Sequence, residues 1–339
     1  MGLLEEIREQ PEVIARTATL NAEPARRVAG LAKGCTHAVI AARGTSDNAG
    51  RYAQYVWGTR NGLSVGLTTP SLFSVYDRPP RLDGSLVVGI SQSGESPDIV
   101  SVLEEGREQG QPTVAITNEP DSPLAEVADV VIDLDAGEER AVAATKTYTA
   151  QLAAVALISE AMSGKGAGLE GLPSLVEHAL DQEGQAAESA AAHAGIEYCA
   201  VLGRGFNQAT AFEWALKLQE LTQIVAQPFS TADFLHGPIA VLEPGYPVLA
   251  IAARGPAIDD VIDVLRRCKQ AGASLVVIGN DARLAELEPS ILELEPGVDE
   301  WLSPIPAVVL GQLFAYHLTV AKGLDPEQPR GLHKVTRTT

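Results

Sequence analysis

Ser85-Leu86-Val87-Val88-Gly89-Ile90-Ser91-Gln92-Ser93-Gly94-Glu95-Ser96 is the stretch on which the fold turns. Its first half is an apolar run of strand length. The segment after it, from Ile99 through Glu105, has the apolar spacing of an amphipathic helix. A buried strand therefore ends in a hydroxyl-rich, glycine-containing turn that opens a helix. Such a turn aims free backbone N–H groups and the positive end of the helix dipole at one point. Three serine hydroxyls and the Gln92 amide add neutral donors. The turn contains no Lys or Arg, so a phosphate bound there is held by dipoles. The same residues also suit a plain loop with a good N-cap, and the turn alone does not choose between the two.

A second junction of the same kind lies upstream. His37-Ala38-Val39-Ile40-Ala41-Ala42 reads as a strand, Arg43-Gly44-Thr45-Ser46 as a turn, and Asn48 to Trp57 as the next helix. Two hydroxyl-rich strand-to-helix turns can converge at the carboxyl edge of one parallel sheet, where open α/β sheets bind ligands. Neither turn carries the Gly-x-Gly-x-x-Gly or Gly-Lys-Ser/Thr signature of nucleotide binding.

The pattern recurs 161 to 162 residues later. His37 to Gly44 parallels Tyr198 to Gly205, Val87 to Gly94 parallels Val248 to Gly255, Asp98 matches Asp259, and Thr113 to Asn118 matches Leu275 to Asn280. A repeat this long means two copies of one domain. The expected fold class is α/β, with two tandem doubly wound parallel sheets related by duplication. The expected organisation is an N-terminal helical segment over 1–25, a first domain over 26–165, a linking helix over 166–195, a second domain over 196–325 and a tail or lid over 326–339. Pro11 marks a helix break or restart in the first segment. The second copy has Ala252-Ala253-Arg254-Gly255-Pro256 where the first has its serine-rich turn, so one phosphate site per chain is expected.

Composition narrows the function classes. A net charge of −19 disfavours nucleic acid and anionic membranes as partners. No unbroken run of about 18 apolar residues stands in the chain, and no membrane span is expected. Met1 to Arg16 is charged and unlike a signal peptide. Cys35, Cys199 and Cys268 are odd in number and far apart, which suits isolated thiols in a reducing cytoplasm.

Three further places could carry chemistry. In Phe212-Glu213-Trp214-Ala215-Leu216-Lys217-Leu218-Gln219-Glu220-Leu221, the spacing puts Glu213, Lys217 and Glu220 on one helix face. That is a solvated salt-bridge stripe in an arbitrary helix, but this helix follows Gly203-Arg204-Gly205, near a ligand-binding sheet edge, where a Glu beside a Lys can act as a base. His236, in Asp233-Phe234-Leu235-His236-Gly237-Pro238, sits before a Gly-Pro turn that can present an imidazole. The C-terminal Gln328-Pro329-Arg330-Gly331-Leu332-His333-Lys334 is either a frayed basic tail or a lid that brings Lys334 to a carbonyl, where a desolvated lysine can form a Schiff base.

Taken in order, these motifs, together with Val142-Ala143-Ala144-Thr145-Lys146, resemble the sugar isomerase (SIS) family. Within it they are most similar to the isomerase half of glutamine–fructose-6-phosphate aminotransferase. The resemblance implies a phosphate held by Thr45, Ser46, Ser91, Gln92, Ser93 and Ser96. It implies a sugar site lined by Gly44, Val142, Ala144 and Glu213, Ala144 standing where the family often has Ser. It implies proton transfer between C1 and C2 by Glu220 with help from Lys217, ring opening by His236 from a neighbouring subunit of a homodimer, and a ketose Schiff base on Lys334. Gln219 replaces the family's usual second lysine in the helix motif. No metal or organic cofactor is implied. The first such strand comes as early as His37, so no glutaminase domain is expected ahead of it. The chain then resembles the SIS-type glucosamine-6-phosphate deaminases. The expected reaction converts glucosamine 6-phosphate to fructose 6-phosphate and ammonia. Alternatives are a phosphosugar aldose–ketose isomerase, a deaminase or deglycase of another amino sugar, and a sugar-phosphate sensor without turnover.

Overall fold

The computed structural model describes residues 2–164, 168–332 and 334. Among them lie two five-stranded, all-parallel sheets. The first holds β1 (His37–Ala41), β2 (Ser64–Leu67), β3 (Ser85–Ile90), β4 (Thr113–Thr117) and β5 (Val130–Asp133), in the order β2-β1-β3-β4-β5. The second holds β6 (Tyr198–Gly203), β7 (Val225–Ser230), β8 (Pro247–Ala252), β9 (Ser274–Gly279) and β10 (Ser290–Glu293), in the order β10-β9-β8-β6-β7. Read from the other edge, the second order is the first with five added to every strand number. The duplication seen in sequence is thus a duplication of topology. The central strands β3, β4 and β8 are buried along their whole length, as expected of parallel strands covered on both faces.

The chain divides into two compact units. One comprises Glu9–Glu139, Lys146–Leu172 and His333–Thr339, and contains the first sheet. Its helix Gly44–Asn61 lies along Lys146–Ser163; the Trp57 indole N–H donates to the Val155 carbonyl (3.1 Å) and the Asn61 amide to the Ser159 carbonyl (2.9 Å). The other comprises Met1–Arg8, Arg140–Thr145 and Pro173–Leu332, and contains the second sheet. There helix Gln208–Thr222 lies along Pro304–Ala321, with Trp214 edge-on to Phe314 at 5.6 Å. Gly311 makes that approach possible, since a methyl group on it would stand 3.0 Å from the Trp214 ring.

Several sequence-based boundaries change. The helix after β1 begins at Gly44 rather than Asn48, so Gly44, Thr45 and Ser46 form its first turn. The segment read as one linking helix holds a 3-10 turn (Leu169–Gly171) and two helices, Leu172–Leu180 and Glu183–Ala192; residues 165–167 are outside the described residues. At the N-terminus Pro11 lies in the first turn of Gln10–Leu20, after the short helix Leu3–Arg8, so it marks a restart. Helix Pro304–Ala321 is long and apolar enough by composition to cross a membrane, although Gln312 and His317 interrupt its apolar run. Buried inside the structure, 78% of that window acts as a core helix. Of the expected tail, His333 and Val335–Thr339 lie outside the described residues.

Candidate functional site

In each sheet the strand order reverses between β1 and β3 or between β6 and β8, and the turns leaving those strands flank the crevice where such folds bind ligands. In the first unit these are the two hydroxyl-rich turns. Thr45 and Ser46 stand in the first turn of Gly44–Asn61. The Ser46 hydroxyl is buried and accepts a hydrogen bond from the Gln151 side-chain amide at 3.0 Å.

The second turn is folded by its own serines. The Ser91 hydroxyl accepts from the Gly94 N–H (3.1 Å) and the Ser93 hydroxyl from the Glu95 N–H (3.3 Å). Each retains its own O–H for donation to a ligand. The Gln92 carbonyl accepts from the Asn118 N–H at 3.1 Å, which ties the turn to the end of β4 and leaves the Gln92 side chain outside that bond. Ser96 is the N-cap of Pro97–Glu108 by backbone conformation, yet its hydroxyl makes no capping bond. Gly94 is obligatory: its φ is +62°, and a methyl group there would lie 2.0 Å from the Ser122 hydroxyl.

Between the two turns runs an ion pair that the sequence did not reveal. Arg43 Nε donates to Asp98 Oδ2 at 2.8 Å, and Asp98 is fully buried. The guanidinium is thereby spent on an internal carboxylate. The repetition of Arg-Gly at 43–44 and 204–205 was the available signal, but the two arginines pair differently. Arg204 reaches the exposed Asp260 at 3.6 Å, while Asp259, the residue matched to Asp98 in sequence, binds Arg283 at 2.8 Å.

Lys334 is held within the same unit. Its Nζ donates to Glu139 Oε2 at 3.0 Å. Glu139 also accepts from the Thr147 N–H (3.1 Å) and the Thr147 hydroxyl (2.8 Å), so one buried carboxylate caps helix Lys146–Ser163 and anchors the lysine. Lys146 is buried and donates to Glu9 at 2.7 Å and to the Glu138 carbonyl at 2.9 Å.

The other unit contains the charged helix face. Lys217 Nζ lies 2.5 Å from Glu220 Oε2 and 3.4 Å from Glu213 Oε1. Glu213 and Lys217 are fully buried, whereas the Glu220 side chain is 23% exposed. The reading of a solvated stripe therefore fails: two charges sit in the interior, where they persist only when paired, and the third opens to solvent. Gln219, at the position of the family's second lysine, donates instead to the Ala226 carbonyl. In the strap Arg140–Thr145, Val142 and Ala144 are partly exposed, while Ala141, Ala143 and Thr145 are buried. Buried Glu6 accepts from the Arg140 and Ala141 N–H groups and fixes that alternation. His236 is exposed, just after the short helix Thr231–Leu235, with its backbone N–H on Asp233.

Among the described residues no cluster of three or more His, Cys, Asp or Glu is suited to hold a metal ion. Cys199 and Cys268 are buried free thiols, which burial pushes up to about 12 and about 11.

Comparison with known proteins bears on the family and the fold. The sequence is 34% identical over 342 residues to a glutamine–fructose-6-phosphate aminotransferase (isomerizing) of Pyrococcus horikoshii, covering 98% of this chain and 57% of that protein. It is 36% identical over 327 residues to the one of Synechocystis sp., covering 90% of this chain and 52% of that protein. The chain thus spans about half the length of the curated relatives it matches. Among solved structures, the C-terminal domain of glucosamine-fructose-6-phosphate aminotransferase from Francisella tularensis superposes with a TM-score of 0.89 at 28% identity, covering 96% of this chain and 98% of that one. The SIS domain model matches twice, over residues 33–161 and 199–322, once on each five-stranded sheet, and the chain belongs to the SIS domain family.

Proposed function

We propose that this chain carries out a deaminating aldose–ketose isomerisation: an amino-aldose phosphate and water become a ketose phosphate and ammonia, with glucosamine 6-phosphate as the substrate and fructose 6-phosphate as the product. The observation that carries the reading is the Glu213–Lys217–Glu220 set, an interior ammonium between two carboxylates of which only Glu220 reaches solvent. A protein that merely sensed a sugar phosphate would have no use for so costly a burial.

The roles follow from the groups. Thr45, Ser46, Ser91, Gln92, Ser93 and Ser96 hold the phosphate by neutral donors and helix N-termini. His236 opens the ring by moving a proton between the ring oxygen and the C1 hydroxyl, from a neighbouring copy in a homodimer. Glu220 takes the C2 proton and returns it to C1 through an enolamine, while Lys217 holds Glu220 in place and assists proton transfer near the amine. The C2 imine that results loses ammonia as water, or first the Lys334 amine, adds to C2. Gly44, Val142, Ala144 and Glu213 line or support the sugar. The amino group is favoured over a plain sugar phosphate by the relatives, whose names join fructose 6-phosphate to an aminotransferase.

The test is ammonia release from glucosamine 6-phosphate by the purified protein, with Glu220→Gln as the control. Release that disappears in the variant supports the reading. Aldose–ketose interconversion without ammonia would replace it with the plain isomerase.

A further inference from the structure

Glu300 lies between β10 and helix Pro304–Ala321, the connection that in the first copy, between β5 and helix Lys146–Ser163, carries Glu139, and the two carboxylates are used differently. Glu139 is buried beneath the start of helix Lys146–Ser163. Glu300 instead reaches the turns that leave β6 and β8. A methyl group on Gly255 would lie 2.0 Å from Glu300 Oε2 and 2.4 Å from its Cδ, and one on Gly205 would lie 3.6 Å from Oε1. Gly205 and Gly255 are the counterparts of Gly44 and Gly94. The Glu300 carboxylate therefore lies where the second sheet's strand order reverses, between the two turns that in the first copy carry the proposed phosphate loops.

The surroundings show that it is an occupant and not a partner in an ion pair. Its side chain is partly buried, and burial raises its carboxyl above the ordinary range. Among the described residues neither arginine in these turns pairs with it: Arg204 reaches Asp260 at 3.6 Å, and Arg254 is exposed, with its backbone N–H on the Asn280 side chain at 2.8 Å. The turns have lost every hydroxyl that could donate to a ligand, since Arg204-Gly205-Phe206-Asn207 and Ala252-Ala253-Arg254-Gly255 contain no Ser or Thr.

We propose that Glu300 closes the second copy's crevice by volume and by charge, so that the chain keeps one phosphate site although it carries two copies of the fold. Gly255 is then a glycine because the carboxylate leaves no room for a Cβ. Its backbone does not ask for one, since its φ is outside the left-handed region that Gly94 occupies. The proposal takes the first copy's turns as the phosphate site only to define the comparison, and its test does not depend on them.

The test is a double-mutant cycle in the full chain. Gly255→Ala lowers the melting midpoint by several degrees in the wild-type background and by a small fraction of that beside Glu300→Gly, which removes every Glu300 side-chain atom near the new methyl group, including the Cβ at 2.7 Å. Equal losses in the two backgrounds would overturn the placement of the carboxylate. The companion measurement is calorimetric titration with inorganic phosphate in a Ser91→Ala/Ser93→Ala background, which removes the first copy's donors. Glu300→Ala adds millimolar phosphate binding that its parent lacks, and an added Arg204→Ala weakens the gain at least tenfold. No gain with the fold retained would overturn the closing role. Should Glu300→Ala fail to fold, Glu300→Asp withdraws the carboxylate by one methylene and gives the phosphate readout. Retained phosphate binding in the Ser91→Ala/Ser93→Ala parent would count against the proposed function alone, and leaves the cycle intact.

Discussion

The two copies have the same strand order, and in the proposed function they supply opposite halves of one chemistry. At the crevice, the first copy has serines and a threonine where the second has alanines, an arginine and the Glu300 carboxylate. On the helix that follows the first strand of each sheet the balance reverses. The second copy carries Glu213, Lys217 and Glu220, where the first has Tyr52, Val56 and Thr59. Tyr52 and Val56 are fully buried, and Trp57 beside them is hydrogen bonded into the core, so that helix serves packing. A duplicated domain needs only one anion cradle and one proton relay. On that proposal each copy is free to lose whichever half its partner retains, with core residues or an internal carboxylate in its place.

The sharpest way to break this division is to remove the relay from the copy that holds it. Glu220→Gln, nearly isosteric, should lower ammonia release from glucosamine 6-phosphate by about 10²–10⁴-fold, the usual worth of a positioned general base, while leaving the melting midpoint almost unchanged. Full activity in that variant would remove the second copy from the chemistry.

The next effect falls on the first copy's turn. Gly94→Ala meets both a left-handed backbone and the Ser122 side chain, and should cost about 1–3 kcal/mol of stability in urea unfolding together with phosphate binding. A neutral Gly94→Ala would mean that the turn does not need the conformation seen here.

The ion pairs give a smaller and more discriminating contrast. Arg43→Leu leaves the buried Asp98 without its guanidinium; because Arg43 is itself about half exposed, a cost of about 2 kcal/mol is expected, below that of breaking a fully buried pair. The matching Arg204→Leu, with a 3.6 Å contact to an exposed Asp260, should cost under about 1 kcal/mol. Equal costs would erase the distinction between the two crevices.

The smallest effect is a pH dependence. The Glu300 carboxyl is raised above its ordinary 4.5 by burial, so the folded chain holds that proton more tightly than the unfolded chain. Its contribution is complete below the unfolded value and is lost as pH rises through the folded one. Glu300→Gln should therefore match the wild type at acid pH and exceed it in stability at neutral pH, by a difference that stops growing above the raised value. Thermal melts across that range would show it. The opposite slope would mean that the carboxylate is stabilised in its crevice by a cation.

The amino-acid sequence by itself determined the duplication, the all-parallel sheets and the strand-to-helix turns, because apolar runs of strand length and glycine- or serine-rich turns are local signals that need no partner. It also placed Glu213, Lys217 and Glu220 on one face, because helical spacing is local too. Only the tertiary structure decided which of those charges are interior, that Asp98 holds Arg43 while its sequence match Asp259 holds Arg283, that Glu6 sets the strap carrying Val142 and Ala144, and that Glu139 and Glu300 went separate ways. The pairings after the first join groups from 24 to 195 positions apart. A carboxylate reads the same in sequence whether it faces water, a lysine or a glycine, and burial with a particular partner arises only when separate elements are packed together.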